Sequence, residues 1–240
     1  MREWQPRLFE GDATGRRAPF GIKGYLFSLN LQMDWILGRV ESIRWAYDPI
    51  TIAPRQTEME LAVLLLEDRR FFKHGGFEKR SILRVFRQIV TFKRVGGVST
   101  IEQQLVRTLI DRRERTLRRK SREIILASIL SMRLAKRDIL RIYLSTAYLG
   151  YRVRGCDEAG RLIFGIDAPE LDFDQAAVIA SLLVYPLPKA VRVSVQAQAA
   201  LSPAEFFELA EGIDRKWTRR VRRRFNYCLS IRGKAEQPAY

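Results

Sequence analysis

Two acidic positions in this sequence have surroundings in which a carboxylate could take part in catalysis. Glu67 and Asp68 end an apolar segment, and Glu123 follows Arg119 by one helical turn. Burial disfavours the charged form of a carboxylate and moves its pKa toward the working range of a general base, whereas neighbouring cations keep it ionised. Spacing alone favours structural roles, with Glu67 at a helix end and Glu123 in a surface ion pair with Arg119.

Helical signals precede the first of these positions. The segment Thr57–Glu60 has the form of a capping box, in which two side chains satisfy the free amides at a helix start. The following segment, Leu61–Leu66, is apolar on all sides. We therefore expect a deeply buried helix that ends at Glu67 and Asp68.

The second position is also predicted to lie on a helix. Ser99–Glu102 is a second match to a capping box, which predicts a helix start just after it. A further helix is predicted over about Leu117–Leu134, with Glu123 at the head of its apolar stripe. Two more helices are predicted at about 137–148 and 175–184, and strand signals are weak throughout. The pattern therefore predicts a mostly α fold.

Residues 1–55 are rich in aromatic side chains and contain prolines that interrupt long elements, at Pro6, Pro19, Pro49 and Pro54. We expect an irregular lead-in segment that packs on the main domain or once carried an anchor. No stretch of the sequence reaches the roughly 18 apolar residues of a membrane-spanning helix. No signal peptide is visible at the start.

The composition is strongly basic, with 43 Lys and Arg against 27 Asp and Glu and a net charge of +16. Such an excess implies an anionic partner: a nucleic acid, an acidic membrane surface or a phosphorylated substrate. Residues 79–94 alternate cations with apolar residues, as in a lipid-associated helix or an ordinary surface helix. The cations of 215–224 could contact a membrane surface or a nucleic acid backbone. Two cysteines, Cys156 and Cys228, exclude a disulfide scaffold, and a single histidine, His74, excludes a His-rich metal site.

Five segments carry a resemblance to a known family. They are, in chain order, Glu67–Phe77, Gly97–Leu105, Arg119–Glu123, Lys136–Ser145 and, as a weak match, Arg224–Leu229. They resemble the motifs of the family 51 glycosyltransferases, the peptidoglycan glycosyltransferase domains of class A penicillin-binding proteins and of monofunctional biosynthetic transglycosylases. One motif alone is weak evidence, whereas the first three in this order are a specific signal.

The resemblance implies a mostly α fold with a lysozyme-like helical core and a smaller membrane-facing lobe, to which residues 77–95 would belong. It predicts a lead-in segment at 1–55, a glycosyltransferase domain at 56–230 and a tail at 231–240. The implied enzyme is an inverting peptidoglycan glycosyltransferase that polymerises lipid II and releases undecaprenyl pyrophosphate. It would be membrane-associated, at the outer face of the cytoplasmic membrane. Implied partners are lipid II, the nascent glycan chain, the membrane surface and cell-wall synthesis proteins, with no nucleic acid.

The resemblance also assigns roles to individual residues. Glu67 would be the general base, and Glu123 would match a second essential glutamate that orients a cation or stabilises the donor. No dedicated metal site is visible, although a divalent cation such as Mg²⁺ would suit a pyrophosphate leaving group. His74 is expected to form structural hydrogen bonds near Glu67. The full set of implied substrate-binding residues is Asp68, Phe71, His74, Ser99, Thr100, Gln103, Gln104, Arg107, Arg119, Lys120 and Arg224, of which the four cations Arg107, Arg119, Lys120 and Arg224 would stabilise the pyrophosphate.

The sequence departs from the family pattern at six positions, two of which are Glu78, where aspartate is usual, and Thr108, where asparagine is usual. Glu102 stands where threonine is usual, Arg107 where lysine is usual, and Ser145 where asparagine is usual. Arg141 stands where a glutamate is usual, and we expect this charge reversal to remove a structural ion pair. These departures keep an alternative open: a diverged, catalytically weak scaffold of the same fold that binds lipid or cell-wall partners. A nucleic-acid-binding protein and a lysozyme-type hydrolase are further alternatives.

Overall fold

The structure, a computed structural model, describes residues 21–46, 56–77, 99–110 and 117–234, and within these ranges the chain is mostly helical. This confirms the predicted fold class. A two-stranded antiparallel ribbon, with β1 at Tyr148–Gly150 and β2 at Val153–Arg154, lies between the helix that ends at Thr146 and the helix that begins at Cys156. The helices are α1 Gly21–Ala46, α2 Glu58–Glu67, α3 Ile101–Ile110, α4 Leu117–Arg133, α5 Lys136–Thr146, α6 Cys156–Phe164, α7 Phe173–Leu182, α8 Lys189–Gln196, α9 Pro203–Ile213 and α10 Arg215–Ile231.

The central helix of the core is α7, which packs against α2, α6, α9 and α10. From Ala176 to Ala180 its residues are apolar on every face and fully buried, and the alanines among them let neighbouring helices approach closely. The predicted helix after Thr57 is confirmed as α2, with both hydrogen bonds of its capping box present. Because α2 and α10 both pack on α7, the end of α2 lies beside α10.

A second group of helices packs around α3, which contacts α4 and α5. The long helix α1 lies against all three of them. The prediction that residues 1–55 are irregular is therefore wrong for 21–46. The four prolines of the segment all lie outside α1, and within it the buried side chains recur at helical spacing, as Leu29, Met33, Ile36 and Val40.

A buried polar contact holds α1 against α4. The guanidinium of Arg122 donates to the side-chain oxygen of Gln32 at 3.0 Å and to the hydroxyl of Ser28 at 2.9 Å. The same guanidinium lies 5.0 Å from the centre of the Tyr25 ring. These contacts satisfy a buried charge, so they specify one orientation of α1 on the core.

Some predictions fall outside the described residues. These are the amphipathic stretch 79–94, most of the expected membrane-facing lobe at 77–95, and most of the tail at 231–240. The boundaries of the 56–230 domain stay predictions. None of the helices in the described ranges combines the length and the apolar content needed to cross a bilayer. Helix α5 ends at Thr146, two residues earlier than predicted, because Tyr148 begins the ribbon.

Candidate active site

Glu67 is the last residue of α2, and its carboxylate is held by two other elements. The guanidinium of Arg224, on α10, donates to Glu67 Oε1 and also to the carbonyl oxygen of Leu66 at 3.3 Å. The side-chain amide of Gln104, on α3, donates to Glu67 Oε2 at 2.8 Å. The side chain is 10% exposed, so the carboxylate is largely buried but still reachable from one side.

The orientation of Gln104 is fixed by a third residue. The hydroxyl of Tyr143, on α5, donates to Gln104 Oε1 at 2.8 Å. Burial, and then the nearby charge of Glu67, raises the pKa of Tyr143 well above its ordinary value, so this hydroxyl stays protonated. The amide oxygen of Gln104 therefore faces Tyr143, and its amide nitrogen faces Glu67.

Glu123, the second acid, is buried on α4 and bound by two cations of its own helix. Arg119 lies 3.0 Å from Glu123 Oε2, and Lys120 lies 3.1 Å from Glu123 Oε1. The predicted i, i+4 pair with Arg119 is thus present, but the side chain of Glu123 is only 4% exposed, so the expectation that the pair lies at the surface is wrong. Because the pair is shielded from water, its Coulomb energy is greater than that of an exposed i, i+4 pair.

Lys120 connects Glu123 to α3. Besides Glu123, its ammonium donates to Gln103 Oε1 at 2.7 Å and to Ser99 Oγ at 3.0 Å, which uses all three of its hydrogens. Burial lowers the pKa of Lys120, the positive charges of Arg107 and Arg119 lower it further, and Glu123 opposes the change. The consecutive residues Gln103 and Gln104 of α3 therefore link the two acids, one through Lys120 and the other directly.

The loop after α2 is held by Asp68 and His74, whose side chains are buried. His74 Nε2 lies 2.9 Å from Asp68 Oδ2, and the same oxygen accepts from the backbone N–H of Ile101 at 3.3 Å. An ionised carboxylate can only accept, so His74 Nε2 is the donor. His74 thus forms the structural hydrogen bond that the sequence predicted. Phe71 is fully buried in this loop, and its ring contacts those of Phe72 and His74. Its predicted contact with substrate stays a prediction.

Gly76 ends this loop against α3 and α4. Thr100 Oγ1 and Gln103 Nε2 donate to the carbonyl oxygen of Gly76 at 3.0 and 3.2 Å. Thr100 and Gln103 are both buried, so their observed contacts are with the protein itself. The predicted capping box at Ser99 is wrong by one residue: Thr100 Oγ1 accepts from the N–H of Gln103, while Ser99 binds Lys120.

Glu102, one of the departures from the family pattern, is fully buried beneath the same loop. The ammonium of Lys136, at the start of α5, donates to Glu102 Oε1 and lies 4.4 Å from the centre of the Phe71 ring. His74 Nδ1 is 3.8 Å from the same carboxylate oxygen, beyond hydrogen-bond distance. Glu102 therefore forms a buried ion pair that also supports Phe71 and His74.

Asp68, His74 and Glu102 offer ligand atoms within 4.8 Å of one another, which is the geometry of a cation site. The donor set does not fit Mg²⁺, because Mg²⁺ prefers six oxygen ligands and keeps several waters. The ammonium of Lys136 already supplies a positive charge to Glu102, and a second cation there would be repelled. We assign no metal to this cluster, and the expected divalent cation stays a prediction.

The remaining predicted cations have different surroundings. Arg107 is exposed on α3, one turn after Gln103, and forms no ion pair with any described residue. Arg224 forms an ion pair with Glu67, the predicted general base. Its predicted contact with the pyrophosphate stays a prediction. Arg141 forms an ion pair of its own, with its Nε 3.7 Å from Glu60 Oε1. The expected loss of the ion pair made by the family's usual glutamate stays a prediction.

Two residues of this site were missed as individual candidates, Tyr143 and Lys136. Both lie in the fourth segment of the resemblance, so the signal was present in the sequence. Their roles depend on contacts with α3, from which they are separated by 39 and 34 residues, and no local pattern reports such contacts.

Comparison with known proteins assigns the family. A family model described as Transglycosylase matches residues 42–205, which is more than half of the chain. The chain belongs to this transglycosylase family. Its resemblance to the peptidoglycan glycosyltransferases is thereby confirmed.

Curated relatives agree with this assignment. Penicillin-binding protein 2a of Streptococcus pneumoniae is 41% identical over 128 residues, 53% of this chain and 17% of the relative. Penicillin-binding protein 1A of Escherichia coli is 38% identical over 135 residues, 56% of this chain and 16% of the relative. The biosynthetic peptidoglycan transglycosylase of Alcanivorax borkumensis is 36% identical over 158 residues, 65% of this chain and 59% of the relative. The chain thus spans less than two thirds of the length of each.

Proposed function

We propose that this transglycosylase is an inverting peptidoglycan glycosyltransferase that polymerises lipid II and releases undecaprenyl pyrophosphate. One observation carries the proposal. Two largely buried glutamates, Glu67 and Glu123, are bound to the consecutive residues Gln104 and Gln103, the second glutamate through Lys120. The family assignment and the names of the relatives support the same activity.

Glu67 acts on the acceptor. Its carboxylate accepts one hydrogen bond at each oxygen, from Arg224 and from Gln104, and retains lone pairs for a third donor. The acceptor sugar places its 4-hydroxyl against this carboxylate and loses its proton to it. The oxygen then bonds to the anomeric carbon of the donor, and the bond from that carbon to the pyrophosphate oxygen breaks with inversion.

The cations near Glu123 act on the donor. A pyrophosphate is a good leaving group, so the step needs stabilisation of negative charge more than a proton donor. Arg107 is exposed without an ion pair among the described residues and is available to phosphate oxygens, while Glu123 holds Arg119 and Lys120 in place. The proposed role of Glu123 is therefore to orient cations.

The proposed setting follows from the substrate. Lipid II is a membrane lipid, so the enzyme works at a membrane surface, which we place at the outer face of the cytoplasmic membrane. The nascent glycan chain is the second substrate, and other cell-wall synthesis proteins are the proposed partners. The relatives named as penicillin-binding proteins and as a biosynthetic transglycosylase support this setting.

The test is the variant Glu67→Gln, assayed for polymer formation from labelled lipid II on a gel. The expected result is loss of polymer with an unchanged circular-dichroism spectrum, because the amide keeps the shape but cannot take the proton. Glu58→Gln, at the other end of α2 and half-buried beside Arg232, is the matched control and should keep activity. Polymer formation by Glu67→Gln at the wild-type rate would refute the assigned base.

The same assay separates the alternatives. A scaffold would bind lipid II without making polymer, even as the wild-type chain. A lysozyme-type hydrolase would instead release soluble muropeptides from intact cell walls. The two cations bound to Glu123 suit a phosphate-bearing donor better than that reaction.

A further inference from the structure

The outer face of α10 carries a row of cations that the site does not use. We define the α10 stripe as Lys216, Arg219, Arg220 and Arg223, which are exposed. Arg219 and Arg220 are adjacent in the sequence, and each of them lies three or four residues from both Lys216 and Arg223. Such spacing places all four on one side of a helix. None of them forms an ion pair with a described residue, whereas Arg215 and Arg222 on the same helix both bind Glu211.

The α10 stripe is unfavourable for the isolated protein. Like charges at i, i+3 and i, i+4 repel, and the stripe contains four such pairs along about 11 Å of helix. The opposite side of α10 is packed, with Trp217, Val221 and Cys228 buried against the core, so the helix orientation is fixed and the cations face outward. An anionic surface that binds the stripe would remove this repulsion.

An aromatic residue extends the α10 stripe toward the site. Tyr227 follows Arg223 by one turn and is 50% exposed. The guanidinium of Arg69, two residues after Glu67, donates to the Tyr227 hydroxyl and lies 5.7 Å from the centre of its ring. The stripe therefore continues to Arg69, close in the sequence to Glu67. An exposed tyrosine beside cations is typical of a lipid headgroup layer, where one end of the ring is apolar and the other is hydrated.

We infer that the α10 stripe is a docking surface for an anionic phospholipid bilayer. A straight helix with cations on one face matches a flat layer of phosphates, and each cation close to anionic lipid favours binding. Docking through this face would hold Glu67 at a constant height above the bilayer, since Arg224 of the same helix binds Glu67. That consequence rests on the proposed function, whereas lipid binding itself does not.

The experiment measures sedimentation of the full chain with vesicles that contain no lipid II. Binding to phosphatidylcholine vesicles with one third phosphatidylglycerol is compared with binding to pure phosphatidylcholine, and the difference is the anionic component. The stripe variant carries K216Q, R219Q, R220Q and R223Q. Its matched control carries R133Q, R152Q, R154Q and K189Q, which removes the same charge from exposed positions elsewhere.

We expect the anionic component of binding to fall by at least about tenfold in the stripe variant and by less than about threefold in the control. The stripe variant should unfold at the same or a higher temperature, because like-charge neighbours have been removed. Equal losses in both variants, or no anionic component in the wild type, would overturn the inference. Duplex DNA and soluble phosphatidylglycerol are then compared as competitors that displace the wild type from the vesicles. If DNA acts at the lower concentration, the inference is overturned in favour of a nucleic acid partner.

A separate assay keeps this result distinct from the proposed activity. With lipid II dissolved in detergent there is no bilayer to bind, so the stripe variant should polymerise at the wild-type rate. An inactive wild type with intact vesicle binding would refute the enzyme and leave the docking surface standing. If the wild type polymerised lipid II but showed no anionic component of vesicle binding, the docking surface would be refuted and the proposed enzyme would stand.

Discussion

The guanidinium of Arg224 donates to the carboxylate of Glu67 across a separation of 157 residues. The two residues meet because α2 and α10 both pack on α7. Arg224 also binds the carbonyl oxygen of Leu66, so one guanidinium holds both the side chain of Glu67 and the backbone before it. The middle of α10 is therefore part of the candidate active site, although the family match ends at residue 205.

Arg224→Lys tests this contact. Lysine keeps the charge but lacks the planar fork that reaches two acceptors at once. We expect the rate of polymer formation from lipid II in detergent to fall by roughly 10- to 100-fold, or about 1.4 to 2.7 kcal/mol of transition-state stabilisation. Arg222→Lys, two residues earlier and directed at Glu211, should change the rate by less than about twofold. Equal rates for the two variants would contradict the role given to Arg224.

Gly76→Ala tests the close approach of the loop to α4. The backbone of Gly76 has φ of 79°, and an added Cβ would lie 2.4 Å from the carbonyl oxygen of Ala127. We expect the free energy of unfolding to fall by more than about 2 kcal/mol, from strain and overlap together. At Gly75 a Cβ would have nothing within 4 Å, so Gly75→Ala should change stability by less than about 1 kcal/mol. Urea denaturation of both variants gives the comparison.

Lys136→Met tests the buried pair with Glu102. The carboxylate of Glu102 is fully buried, and without Lys136 its charge would have no compensating ammonium. We expect a loss of about 2–4 kcal/mol in the free energy of unfolding, somewhat reduced because Lys136 is partly exposed. Adding Glu102→Leu should restore most of that loss, since the uncompensated charge is removed. A double variant that is less stable than Lys136→Met would show that packing, and not charge, sets the stability here.

Glu60→Gln tests the effect of burial on a capping-box glutamate. Burial raises the pKa of Glu60 above its usual 4.5, against the opposing effects of the Thr57 amide and Arg141. The folded state then binds more protons than the unfolded state above pH 4.5, so Glu60 lowers stability as the pH rises through its raised pKa. Glutamine keeps the cap and does not titrate. Relative to the wild type, the variant should gain stability as the pH rises from about 4 to about 7.

Glu205→Gln tests a capping-box glutamate whose pKa is shifted in the opposite direction. Glu205 has the same place in the capping box of α9 as Glu60 has in that of α2. Hydrogen bonds from the Ser202 side chain and backbone lower the pKa of this exposed carboxyl. A lowered pKa contributes stability above the unfolded value, and that contribution is lost as the pH falls through the folded value. Glu205→Gln should therefore lose stability relative to the wild type as the pH rises over the same range. The check is the difference in denaturation midpoint between each variant and the wild type at each pH. If these two differences moved in the same direction with pH, the assigned causes would be contradicted.

Helices with a clear local signal could be predicted well. The capping box at Thr57, the apolar run after it and the end at Glu67 all act over a few residues, and the structure has them as expected. Residues 21–46 were less well predicted, because the prolines on both sides of this segment indicate a break that does not occur within α1. The start of α3 was displaced by one residue because Ser99 and Thr100 can both cap a helix, and Lys120 decides between them.

By itself, the sequence determined the mostly α fold class, the two glutamates of the site and the ordered motifs that identified the family. These properties depend on side-chain periodicity and on short sequence segments, which can be recognised without knowledge of the tertiary structure. Only the tertiary structure decided that Phe71 is buried, that Glu102 pairs with Lys136 and that Arg224 binds Glu67. Burial and long-range pairing depend on which helix faces meet, and that is settled by the packing of the whole core.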